Sequence, residues 1–262
     1  ANPRARVDPF QDFDIVYLVT DVKPFREDIT WIDRFGERMI LQLPDDVDGI
    51  QQGEHDPITY LMQFMDGNRI DLTLVPVDRL NELEEDSQTI ALLDKDGILP
   101  AYPPPDDSST LPEPPAERQY DNCCNEFWWV SAYVAKGLWR GELIFARSLL
   151  EDILRKELMK MITWYHGVRT GFHINPGKYG RYLHDDIEPV LWEMLLATFR
   201  DDTIEHTWQS LFVMCELFRT VGLRVGDHFG YTYPADDDRR VSAHLQHVYR
   251  LPPDATEIYP DR

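Results

Sequence analysis

At 262 residues, the chain can hold one large domain or two ordinary ones, each with a substantial core. Its 47 acidic residues outweigh 26 basic ones for a net charge of −21, which excludes nucleic acid and anionic membranes as natural partners and favours either simple solubility or a polycationic small molecule. Three cysteines, two of them adjacent as Cys123-Cys124, cannot form a disulfide framework, and no apolar run approaches the roughly 18 residues of a membrane helix, so a reduced, cytoplasmic protein is expected.

In chain order, residues 14–20 are β-branched and aromatic and read as a strand buried on at least one face. A helix follows, with Phe25, Ile29 and Ile32 at helical spacing and Gly36 placed to stop it. Residues 38–43 form a short apolar strand, and 44–57 an acidic Pro/Gly loop. Residues 58–65 and 69–76 are two more strands joined by Asp66-Gly67-Asn68, a strong hairpin signal. The segment 100–115 is Pro-rich and polar and reads as an extended linker. From about 119 to 225 apolar residues recur every three or four positions, most continuously over 142–169. The tail after Gly226, rich in Asp, Pro and Tyr, is expected to be irregular and draped over one of the domains. The fold class is therefore α+β: a mixed-sheet domain with flanking helices over 1–99, a linker over 100–118 and a helical bundle over 119–262.

Asp12 and Asp14 flank Phe13 at the entry of the first strand, and strand periodicity points both to one face. Two carboxylates that close call for a cation or a proton, and oxygen-only ligation suits magnesium. Asp71 is a lone acid in an otherwise apolar strand, which needs pairing, solvent at an edge or a function. In the helix opening the second half, Asn122, Glu126, Trp129, Tyr133, Lys136 and Arg140 fall on one stripe, beside an apolar stripe of Cys123, Phe127, Val130, Val134 and Leu138 that should be core. The adjacent cysteines read as helix packing. His244 and His247 lack a matching metal partner, and the signatures of zinc proteases, P-loops, α/β-hydrolases and Rossmann folds are absent.

The phrases Phe10-Gln11-Asp12-Phe13-Asp14-Ile15, Asp66-Gly67-Asn68-Arg69-Ile70-Asp71-Leu72-Thr73-Leu74, Leu92-Leu93-Asp94-Lys95-Asp96 and Asp121-Asn122-Cys123-Cys124-Asn125-Glu126-Phe127-Trp128, with Lys136-Gly137-Leu138 after them, occur in the order of one family. Gly177-Lys178-Tyr179, Arg181-Tyr182-Leu183 and Trp208-Gln209-Ser210-Leu211-Phe212 extend the likeness. Over nearly its whole length the chain resembles the bacterial aminoglycoside 6-adenylyltransferases, streptomycin-modifying resistance enzymes of the nucleotidyltransferase superfamily. It departs from them at its start. Members carry a Gly-Ser turn and an Arg directly before the segment equivalent to Ala1, a turn that cradles ATP phosphates, so residues upstream, including a first helix and strand, are expected to be missing.

The resemblance implies transfer of adenylate from ATP to an aminoglycoside hydroxyl, with Mg2+ held by Asp12 and Asp14 and with Asp71 as third ligand or general base. Lys136, with Arg140, is assigned to the ATP phosphates. Asp121, Glu126, Trp128, Trp129 and Tyr133 are assigned to the cationic aminoglycoside, whose guanidinium groups favour carboxylates and aromatic faces; Asp94 is a further candidate for the same cleft. A monomer is expected. The competing readings keep the fold with a different acceptor, or make the chain a non-catalytic nucleotide- or partner-binding module.

Overall fold

The computed structural model describes residues 8–46, 53, 55–83, 86–200 and 203–260. The segment 1–7, next to the expected phosphate turn, and most of the acidic loop (47–52 and 54) lie outside the described residues. The chain forms two compact units, Ala1–Ser109 and Thr110–Arg262.

In the first unit, β1 (Asp12–Val19), β2 (Arg38–Gln42), β3 (Ile58–Phe64) and β4 (Arg69–Pro76) form a sheet of order β1-β4-β3-β2. β1 runs parallel to β4, and the other two pairings are antiparallel. Alternation along the strands sorts the side chains between two faces. Tyr60, Met62, Phe64, Leu72 and Leu74 are buried on one face with Val22 and Ile32. Asp12, Asp14, Asp71 and Thr73 occupy the other, less buried face. The hairpin from β3 to β4 turns where expected. Gly67 takes φ +90°, a conformation costly for residues with a Cβ, and Asp66 Oδ1 accepts from the Asn68 N–H at 3.0 Å.

Two expectations for this unit need correction. The first helix is not continuous to Gly36: α1 (Lys23–Glu27) stops early and a 3-10 turn covers Ile29–Phe35. Between them Asp28 is extended (φ −126°, ψ 92°) and caps the second piece by accepting from the Thr30 N–H. Capping residues compete with helix continuation in this way. The second correction concerns β1, which ends the sheet among the described residues. Ile15 and Val19 pack half-buried against the core, but Phe13 is 49% exposed and Val16 52%, so no residue of this strand is fully buried.

In the second unit, α2 (Glu117–Trp139) packs against α3 (Leu143–Leu149), α4 (Arg155–Thr170), α7 (Ile204–Phe229) and α8 (Ala235–Arg250). The short α5 (Leu183–Asp186) and α6 (Pro189–Ala197) lie between α4 and α7 in the chain. Phe127 stacks on Phe218 with centroids 3.8 Å apart, and the Tyr120 hydroxyl donates to the Gly222 carbonyl at 2.9 Å. The helical stretch expected over 142–169 is present but passes through a π-helical turn at Leu150–Leu154. Just after it, buried Arg155 binds Glu151 and the carbonyl of Thr198. Among the described residues, no helix is long and apolar enough to cross a membrane.

The tail is not irregular. α7 runs on to Phe229, and α8 follows after a short break. The three aspartates that make the segment look like a loop, Asp236, Asp237 and Asp238, form the first turn of α8, where acids are favoured by the helix dipole. Asp238 is buried and accepts from Arg219 Nε (2.5 Å) and Nη2 (2.6 Å), the Tyr233 hydroxyl (2.9 Å) and the Ser242 hydroxyl (2.9 Å). Beyond α8 the chain folds back, so that Tyr259 stacks on His247 and its hydroxyl meets His244 Nδ1 at 2.8 Å.

Candidate active site

The pairing of β1 with β4 sets Asp12 opposite Arg69 and Asp14 opposite Asp71. Because residues two apart share a face, all four side chains converge on one side of the sheet. The Arg69 guanidinium grips Asp71 with both arms, Nε to Oδ1 at 2.9 Å and Nη2 to Oδ2 at 2.6 Å. Its remaining nitrogen lies 3.7 Å from Asp12 Oδ2. One guanidinium therefore bridges two of the carboxylates, with Asp14 close enough to feel its charge. Burial raises the Asp14 pKa, and the charges of Asp71 and Asp12 raise it further against the pull of Arg69. Arg69 is held more firmly protonated, chiefly by its hydrogen bonds to Asp71.

Such a cluster has surplus negative charge and only hard oxygen donors, which suits a small divalent cation. An arginine already lodged between two of the acids acts as a stand-in positive charge. Among the described residues no three carboxylate, His or Cys side chains are gathered at ligating distance around one point, so binding would have to draw the acids together. Arg69 was not singled out from the sequence. The signal was there: it lies two residues from Asp71 on the same strand, and hence on the same face.

On α2 the two stripes separate as expected. Cys123, Phe127, Val130, Val134 and Leu138 are buried, while Asp121, Asn122, Glu126, Trp129, Tyr133, Lys136 and Arg140 are exposed. Trp129 and Tyr133 form an aromatic ladder with centroids 6.0 Å apart, and Lys136 Nζ stands 4.5 Å from the Tyr133 ring centre. Trp128 is different. It is 2% exposed and meets Phe127 and Phe218 edge-on, so it belongs to the core and its ring is closed to a ligand; of the adjacent pair, only Trp129 presents a free face. Burial pushes the Cys124 thiol up to about 12, which fits a packing role. Asp94 closes its own loop, accepting from the Ile98 and Leu99 N–H groups at 3.2 and 3.1 Å, and those bonds, led by Leu99, lower its pKa.

A sheet with three carboxylates on one face, followed by a helical unit, is the architecture of a nucleotidyltransferase. The profile of the family described as Streptomycin adenylyltransferase matches residues 1–248, and the chain belongs to that family. It is 41% identical over 242 residues to an aminoglycoside 6-adenylyltransferase of Campylobacter jejuni, covering 91% of this chain and 83% of the relative. A Bacillus subtilis (strain 168) protein of the same name is 35% identical over 92% of this chain and 86% of its own. The crystal structure of an aminoglycoside 6-adenyltransferase from Bacillus subtilis matches with a TM-score of 0.51 and 32% identity, covering 92% of this chain and 90% of that one.

Proposed function

We propose that the protein transfers AMP from ATP to a hydroxyl of streptomycin and thereby confers resistance in the cytoplasm, where ATP is available. The observation that carries this reading is the grouping of Asp12, Asp14 and Asp71 on one sheet face within a chain of this family. The acceptor hydroxyl oxygen attacks the α-phosphorus in line, the bond from that phosphorus to the β-phosphate oxygen breaks, and pyrophosphate leaves with the bonding electrons. Asp12 and Asp14 would hold magnesium, which would supply positive charge for the phosphate oxygens and the leaving group. Asp71, opposite Asp14, completes that ligand set or takes the proton of the attacking hydroxyl. Lys136 and Arg140 are assigned to phosphate. The exposed acids Asp121 and Glu126 and the rings of Trp129 and Tyr133 offer carboxylates and π faces to the guanidinium groups of the antibiotic.

The surplus acidity of the whole chain supports a polycationic acceptor by attracting it from solution. Mass analysis of streptomycin incubated with the protein, ATP and magnesium tests the proposal. Addition of one adenylyl group is the expected result. An unchanged mass, where a known adenylyltransferase modifies the drug in parallel, would sink it, and modification of another aminoglycoside instead would keep the chemistry and replace the acceptor.

A further inference from the structure

We propose that Arg69 is the resident counter-ion of the acid cluster, and that a divalent cation entering the cluster must displace its guanidinium from Asp71. The inference rests on the reading above that Asp12 and Asp14 take such a cation. Arg69 engages both oxygens of Asp71 and extends its third nitrogen toward Asp12, so it fills the space between the acid of β4 and the first acid of β1. A paired fork of this kind is the strongest side-chain arrangement open to a carboxylate.

Asp14 lies directly opposite Asp71 in the strand register, so a doubly charged ion ligated by Asp12 and Asp14 would arrive beside the guanidinium. Two cations so close repel strongly where solvent is partly excluded, while Asp71 attracts both. Among the described residues the partner that can yield is Arg69, whose side chain is 42% exposed against 19% for Asp71 and can swing out into water. Asp71 is thus occupied until the cation comes, and both roles open to it, ligand or base, begin with its release. Arg69 is a positioning residue. It keeps three like charges together on a folded sheet and sets the cation concentration at which Asp71 is freed.

The test compares wild type, Arg69→Gln and Arg69→Lys without ATP, reading Mn2+ affinity by electron paramagnetic resonance. Loss of the fork and the charge in Arg69→Gln should tighten Mn2+ about tenfold, the order of one charged hydrogen-bonded pair. Arg69→Lys keeps the charge but cannot grip both oxygens, so it should tighten binding about threefold. Metal-free Arg69→Gln should also melt earlier than wild type and regain the difference in Mn2+. The displacement itself is read by NMR: the Arg69 Nε–H signal, assigned by its absence from Arg69→Lys, should move or broaden when Mg2+ is added to wild type.

An Nε–H signal unmoved by Mg2+ at a concentration that saturates the cluster would overturn the proposal and leave the metal reading standing. So would wild-type Mn2+ affinity in Arg69→Lys, which would show that only overall charge matters. Failure of all three proteins to bind Mn2+ would remove the metal reading itself, and the proposal with it.

Discussion

Two acidic sites, a lone carboxylate in the helical unit and a group of three in the sheet unit, differ in how their charge is balanced. Asp238 in the helical unit meets one guanidinium and two hydroxyls, all within 2.9 Å, and is almost fully buried. In the sheet unit, among the described residues, Arg69 pairs with Asp71 and approaches Asp12, while Asp14 beside them has its pKa raised first by burial and then by the charges of Asp71 and Asp12. A closed ion pair holds helices together. An overcharged one, partly open to water, is prepared to receive something, and the contrast separates structural acids from functional ones without knowledge of the ligand.

The sharpest way to break the comparison is to neutralise one acid at each site. Asp14→Asn should lower kcat/KM for adenylyl transfer at least about 1000-fold, roughly 4 kcal/mol of transition-state stabilisation. Its melting temperature should hold or rise, because removing Asp14 relieves repulsion. Asp238→Ala should do the reverse, costing about 3–4 kcal/mol in denaturant unfolding by stranding Arg219 while the folded fraction keeps its turnover. If the two substitutions have similar effects, the distinction is wrong.

A third, smaller effect sharpens the meaning of a closed pair. Burial opposes ionisation of Glu151, but the hydrogen bond and charge of Arg155, aided by Arg147, more than offset it and hold the pKa below the usual carboxylate value. A depressed folded pKa contributes stability that is present above the unfolded value of about 4.3 and lost as pH falls through the folded one. Glu151→Gln should therefore cost about 1–2 kcal/mol at neutral pH, and the gap to wild type should close in strong acid. The smallest expected effect is on the α2 face. Trp129→Ala should raise KM for the aminoglycoside twofold to fivefold with kcat little changed, as expected for about 0.5–1 kcal/mol of exposed cation–π contact.

Much of this was legible in the sequence. The strands β1 and β2 follow from β-branched and apolar composition, the β3–β4 hairpin from its Asp66-Gly67-Asn68 turn, and the two stripes of α2 from spacings of three to four, because that helix buries one face and wets the other. Three features did not follow. Asp236 to Asp238 look like loop acids until Arg219, 19 residues earlier, supplies the buried partner of Asp238. The break at Asp28 depends on a local side-chain bond that competes with an apolar pattern still at helical spacing. Trp128 and Trp129 are the same residue type side by side, and although spacing puts Trp129 on the polar stripe, the burial of Trp128 is fixed by packing that includes Phe218 in α7.

The π-helical turn at Leu150–Leu154 bears on how this unit tolerates change in length. A regular helix advances about 100° per residue, so an extra residue absorbed in a π turn spares everything downstream the rotation by that angle, relative to α3, that it would otherwise cause. Buried Ala146 and buried Leu158 face the same core through that phase correction. Deleting one residue from this turn would give an uninterrupted helix and leave the face of α4 on α7, whereas a deletion within α3 or α4 would swing that face by about 100°, so the irregular turn, not the regular helices beside it, is the point where this stretch tolerates a change of length.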